Sequence, residues 1–172
     1  MSYRLHQKIL KETYEDYLVR ASKRNQNKDQ WIKDIVSGKT HTDGILFQNK
    51  DFIMFPPAKW NMKDMKTFHM LTFVKDFSIR SMRDLNGSHI SLLEDILRIG
   101  SEEIEKEYKI KQENLKIYVH YPPTSWILHI HFNVIDDTSS SSSVEYSNSL
   151  YNIILNLKMN GDYFKQDLFV MM

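Results

Sequence analysis

Apolar residues recur along this chain with two periods, one near 3.6 and one of 2, and the switches between them mark out its elements. Leu5, Ile9, Leu10, Tyr14, Tyr17 and Leu18 repeat at helical spacing, which predicts a helix over 4–22. Polar residues 23–28 interrupt it. Asp29 then stands as the cap of a short second helix running through Val36 and ended by Gly38. Residues 45–49 and 51–55 are rich in Ile, Leu and Phe, with Asn49, Lys50 and Asp51 as a tight turn, so they predict a hairpin. Pro56 and Pro57 stop its second strand, and 68–75 reads as a further strand. From Asn86, a plausible N-cap, to Tyr108 the pattern is helical again, with Ile90, Leu93, Leu97, Ile104 and Tyr108 on one face. Strands follow at 115–121 and 127–133. A surface loop holds Asp136, Asp137, Thr138 and the serines 139–143. A helix at 144–158 and a strand at 164–170 complete the chain. There is no internal repeat, and the sum is one α+β domain: an antiparallel sheet with a long helix packed on it.

Composition narrows the function classes. With 172 residues, 41% hydrophobic and 12% aromatic, the chain is globular and large enough for a real core. The 23 Lys and Arg residues nearly balance 22 Asp and Glu, which speaks against tracking along a long nucleic acid but leaves open a small anionic nucleotide in a local pocket. There is no cysteine, hence no disulfide framework and no thiolate zinc site, and a reducing compartment fits. No apolar run reaches the ~18 residues of a membrane span, and the N-terminus lacks a signal-peptide core.

The chemistry concentrates in the strand at 127–133. Alternation puts His129 and His131 on one face together with Ile127, while Leu128, Ile130 and Phe132 point into a core. His120 lies near the end of the partner strand, before the turn Tyr121-Pro122-Pro123-Thr124-Ser125-Trp126. One sheet face therefore gathers three imidazoles, the side chain suited to proton and phosphoryl chemistry near neutral pH. The same three rings could instead hold a zinc ion with an open position. A lone strand histidine is more often a hydrogen-bonded core residue.

The run from Val119 to Phe132 resembles the active-site segment of the scavenger mRNA decapping enzymes, in the histidine-triad superfamily with its His-φ-His-φ-His-φ-φ pattern. Further stretches are similar in the same order: Lys11 to Tyr17, Gln30-Trp31-Ile32, Pro56 to Asn61, and Ser78 to Leu85. The resemblance implies a histidine-triad-like fold and, since the chain begins where the family's catalytic domain begins, absence of the family's N-terminal domain. It implies cleavage of the triphosphate bridge of a 7-methylguanosine cap dinucleotide or short capped RNA, releasing 7-methylguanosine monophosphate. His129 matches the nucleophile. His131 and His120 match positions whose imidazolium form supports phosphate charge. Lys59 and Thr124 match phosphate contacts. Trp31 matches the indole that stacks on the cationic base, with Ala58 and Pro56 at the opposite wall. His41 falls where the family has an acidic residue that reads the guanine edge, with Asp43 close by. Ile127 replaces the first triad histidine, Pro57 an aspartate and Tyr146 a phosphate-binding arginine. The family needs no cofactor or metal. A homodimer is expected, with no membrane partner, in the cytoplasm; the nucleus or a virus-infected cell is also compatible. The remaining alternatives are a general dinucleoside polyphosphate hydrolase and a cap-binding protein that has lost turnover.

Overall fold

The computed structural model describes residues 7–24, 26–40, 43–58, 60–137 and 146–172. The first element differs from the sequence expectation. Ile9–Glu12 is a strand, β1, and helix α1 is Tyr14–Ser22. Thr13 sets the boundary. Its hydroxyl accepts from the Asp16 N–H while the Asp16 carboxylate accepts from the Thr13 N–H, a reciprocal cap that fixes where the helix can start. Ile9 and Leu10 instead extend along the last strand, β8 (Leu168–Met171), in an antiparallel ribbon.

Between these ends lies a six-stranded antiparallel sheet: β2 (Phe47–Gln48), β3 (Phe52–Phe55), β4 (His69–Val74), β5 (Leu115–His120), β6 (His129–Val134) and β7 (Ser147–Ser149). Their order is β2-β3-β4-β6-β5-β7. The β2–β3 turn is held by Asn49, whose side-chain oxygen accepts from the Asp51 and Phe52 N–H groups. Three further helices are α2 (Gln30–Val36), α3 (Ile90–Tyr108) and α4 (Leu150–Met159). None of the described helices is long and apolar enough to cross a membrane.

Strand alternation splits the sheet into two chemically distinct faces. Phe52, Met54, Met70, Val74, Ile117, Val119, Ile130 and Phe132 form the main core with Leu93, Ile96 and Ile104 of α3 and Leu150, Ile153, Ile154 and Leu157 of α4. Gly100 lets α3 lie close on β6: a Cβ there would sit 2.7 Å from Phe132 Cζ. The other face carries a small apolar cluster under α2, made of Ile32, Ile53, Phe55, Leu71, Phe73 and Ile127. The rest of that face is polar.

Other boundaries shift for local reasons. Asn86 caps a 3-10 turn, Gly87–His89, and α3 starts only at Ile90. Asp29 precedes α2 but does not cap it; its carboxylate pairs with the Arg24 guanidinium at 2.7 Å and accepts from the Trp126 N–H. Ser147, Asn148 and Ser149 pair with β5 rather than opening the last helix. Tyr163–Lys165 form a 3-10 turn, so the final strand begins at Leu168. The expected helix start at 144 and the serine run lie outside the described residues.

Glu12 ties the ribbon to the domain. It is buried, pairs with Arg20 and with the fully buried Arg83, and accepts from the Tyr121 hydroxyl. Arg83 also donates to the Gln166 carbonyl at 2.6 Å.

Candidate active site

Strands β4, β5 and β6 place the site by register alone. Leu71 faces His131, Phe73 faces His129 and His69 faces Asn133 across β4–β6, while Tyr118 faces His131 across β5–β6. The polar half of the second sheet face is thus paved with His69, His129, His131 and, from the end of β5, His120. These rings floor a cavity of about 660 Å³. Trp31, Pro57, Trp60 and Asn61 line its sides together with Thr124 and Ser125 of the β5–β6 hairpin. That hairpin is pinned from behind: the Trp126 ring stacks on Tyr17 at 6.0 Å, with the Arg24 guanidinium 5.2 Å from the Trp126 ring.

His129 is oriented by its own strand. Its Nδ1 lies 2.8 Å from the Ile127 carbonyl. A carbonyl only accepts, so the proton sits on Nδ1 and the lone pair on Nε2. Phe73 stacks on the ring at 4.9 Å. The residue is 7% exposed. Burial pushes its pKa down to about 4, with the Ile127 carbonyl bond acting in the opposite direction. The ring is therefore neutral at pH 7, the state in which an imidazole nitrogen is a nucleophile.

His131 stacks on Tyr118 at 5.0 Å and lies 4.2 Å, ring to ring, from His120. Burial first, and then the neighbouring imidazoles, hold its pKa far below the ordinary value. Burial makes it a neutral ring at pH 7 in the free protein. Its Nδ1 lies 3.0 Å from Nε2 of His69, a residue the sequence motif did not single out. Burial brings His69 down to about 4 against the attraction of Asp137. Asp137, also missed, borders the cavity and accepts from the Asn133 side-chain amide at 2.9 Å, which in turn accepts from the Tyr118 hydroxyl. The available signal was alternation: His69, Leu71 and Phe73 occupy one face of the strand expected at 68–75.

The structure brings together His120, His129, His131, Thr124 and Trp31 around one cavity. Trp31 is half exposed and meets Phe73 edge-on at 6.2 Å. Two expected wall residues are corrected. Pro56 is buried and Ala58 exposed, and neither borders the cavity; Pro57 does. Alternating direction along the chain after β3 accounts for the one-residue shift. His41 and Lys59 lie outside the described residues. Asp43 is exposed and does not border the cavity. Tyr146 bonds Gln7 at 2.6 Å and also stays off the cavity. Ile127 is buried in the apolar cluster under α2, where it contributes its carbonyl rather than a ring. Among the described residues, no group of three or more His, Asp or Glu side chains is arranged to hold a metal ion.

Comparison with known proteins bears on the family and the fold. The sequence profile of a family described as scavenger mRNA decapping enzyme C-term binding matches residues 30–147. The m7GpppX diphosphatase of Mus musculus is 31% identical over 166 residues, covering 92% of this chain and 49% of that protein. The m7GpppX diphosphatase of Schizosaccharomyces pombe is 31% identical over 138 residues, 77% of this chain and 45% of that one. The chain thus spans about half the length of the curated relatives it matches. Among solved structures, aprataxin ortholog Hnt3 in complex with DNA aligns with a TM-score of 0.52 at 17% identity, covering 80% of each chain, a likeness of fold alone. The chain belongs to the scavenger mRNA decapping enzyme C-terminal family and has its α+β, histidine-triad-like fold.

Proposed function

We propose that this chain hydrolyses the phosphate bridge of 7-methylguanosine cap dinucleotides or short capped RNA. The observation that carries the reading is His129: a neutral ring, its Nδ1 proton engaged by the Ile127 carbonyl, bordering a cavity large enough for a nucleotide. In the first step Nε2 attacks the phosphorus next to the methylated nucleoside. A P–N bond forms, the P–O bond to the rest of the bridge breaks, and a nucleoside or oligonucleotide diphosphate leaves. In the second step water attacks the same phosphorus, the P–N bond breaks, and 7-methylguanosine monophosphate departs with the imidazole restored. The ring N–H groups of His131 and His120 and the Thr124 hydroxyl stabilise charge on the phosphate oxygens. The Trp31 face takes the cationic base by stacking and cation–π attraction, with Pro57 as the opposing wall. Lys59 and His41 are assigned to the phosphate bridge and the guanine edge by resemblance only.

We further read the 172 residues as one domain acting as a homodimer without cofactor, in the cytoplasm. Methylated and unmethylated cap dinucleotides and diadenosine polyphosphates, each offered with excess chelator, test the assignment. Cleavage of the methylated cap, falling at least about 1,000-fold in His129→Asn, is expected. Undiminished turnover in that variant rejects His129 as nucleophile. A second reading, cap binding without turnover, is favoured by the loss of a polar ring at Ile127; tight binding with no product over long incubation would support it. Indifference to methylation would make the chain a general dinucleoside polyphosphate hydrolase.

A further inference from the structure

His69 lies on β4 opposite Asn133 and reaches diagonally to His131, its Nε2 3.0 Å from His131 Nδ1. The two rings stack at 5.3 Å, and both border the cavity. Two neutral imidazoles carry two N–H groups, and the bond between the rings uses one of them. Only one of the two outer nitrogens, His69 Nδ1 or His131 Nε2, can then bear hydrogen. One added proton gives hydrogen to both. His131 Nε2 is buried with no hydrogen-bond partner among the described residues, so its bonding capacity is unspent.

We propose that the His69–His131 pair takes up one proton when a phosphate anion enters the cleft, becoming an imidazole–imidazolium pair that shares a proton across its N–N bond and donates from both ends. The proposal rests on the hydrolase reading above, since it takes the bound phosphate to be the one His129 attacks. In the charged pair His131 Nε2–H serves the phosphate, and the positive charge is spread over two rings. The groups facing the pair are His120 and Tyr118 of β5, His129 of β6, and Asp137 in the turn after β6; the Lys116 ammonium donates to the Asp137 carbonyl. Of these, Asp137 draws a proton to His69, while His120 and His129 oppose it. Burial dominates and keeps both rings neutral, His69 down at about 4. A phosphate supplies the missing negative charge. Because the bound state then holds more protons than the free state, affinity falls as pH rises.

The probe is a methylated cap dinucleotide whose bridging oxygens are replaced by methylene, so that no bond there can be displaced. Calorimetry near neutral pH in buffers of different ionisation enthalpy gives the protons taken up per ligand. Wild type is expected to take up close to one. His69→Gln, which can still hydrogen-bond His131 but cannot be protonated, is expected to take up none and to bind about tenfold more weakly. Histidine nitrogen NMR on the wild type needs no variant: the signals of His69 and His131 should move to imidazolium positions on binding. Binding with no proton uptake, or with uptake undiminished in His69→Gln, overturns the proposal and leaves the hydrolase reading standing. Failure of the wild type to bind the probe at all removes both.

Discussion

At His129 a single main-chain carbonyl divides the two ring nitrogens into a donor and a lone pair, and burial keeps the ring uncharged. His69 shares that condition, both rings lying near 4 against the ordinary 6.5. In the unfolded chain these histidines bind protons at higher pH than in the folded one. Between those two values the unfolded state holds more protons, so stability rises with pH across the window. It is complete above about 6.5 and lost as pH falls through about 4. The thermal midpoint should therefore drop as pH is lowered from neutrality through this range, and His69→Phe should flatten the drop. A midpoint indifferent to pH there would contradict neutral, buried rings. His129, His131 and His120 were legible because a two-residue period and a short hairpin put them on one face. His69 and Asp137 were not. His69 joins them only because β4 pairs with β6, and nothing local in the sequence announces a contact with His131, 62 residues away. Asp137 was assigned to a surface loop, although its carboxylate is fixed by Asn133.

Helix α3 and the β1–β8 ribbon show how elements hold the site from outside it. Ala normally stabilises a helix over Gly by about 1 kcal/mol. At Gly100 the added methyl would meet Phe132 Cζ at 2.7 Å and Met54 Cε at 3.3 Å, and Phe132 is fully buried. Overpacking of this kind costs about 1–3 kcal/mol. Gly100→Ala should lower stability in urea unfolding, and it should also slow turnover, because Phe132 stands between His131 and Asn133 on β6. The ribbon depends on charge instead. Glu12→Gln leaves buried Arg83 and Arg20 without their carboxylate, a loss of about 3–5 kcal/mol, again measured by urea unfolding. Neither feature was readable beforehand. Ile9 and Leu10 fit a helical period as well as an extended one, and the decisive sign was the Thr13–Asp16 pair. The strand β7, Ser-Asn-Ser, carries no apolar pattern at all and exists by pairing to β5.

The whole molecule is a sheet closed on one side and half open on the other. Helices α3 and α4 seal the first face; α2 covers only the end of the second, and the cleft is what remains. The α+β class and the long helix could be read from periodicity, since they depend on long amphipathic segments. The division of the second face into an apolar end and a polar end could not, because it depends on which residues of three strands fall in register. Phe73 stands on that division. It touches the Trp31 indole edge-on, stacks on Phe55 at 5.3 Å and stacks on His129 at 4.9 Å. In the proposed reaction one phenyl ring thus props both the platform for the base and the attacking imidazole. Phe73→Leu should accordingly raise KM and lower kcat together in steady-state assays, where a change confined to Trp31 should act mainly on KM. On the proposed reading grip and aim share a fulcrum: a looser hold on the nucleobase would bring with it a crooked approach to phosphorus.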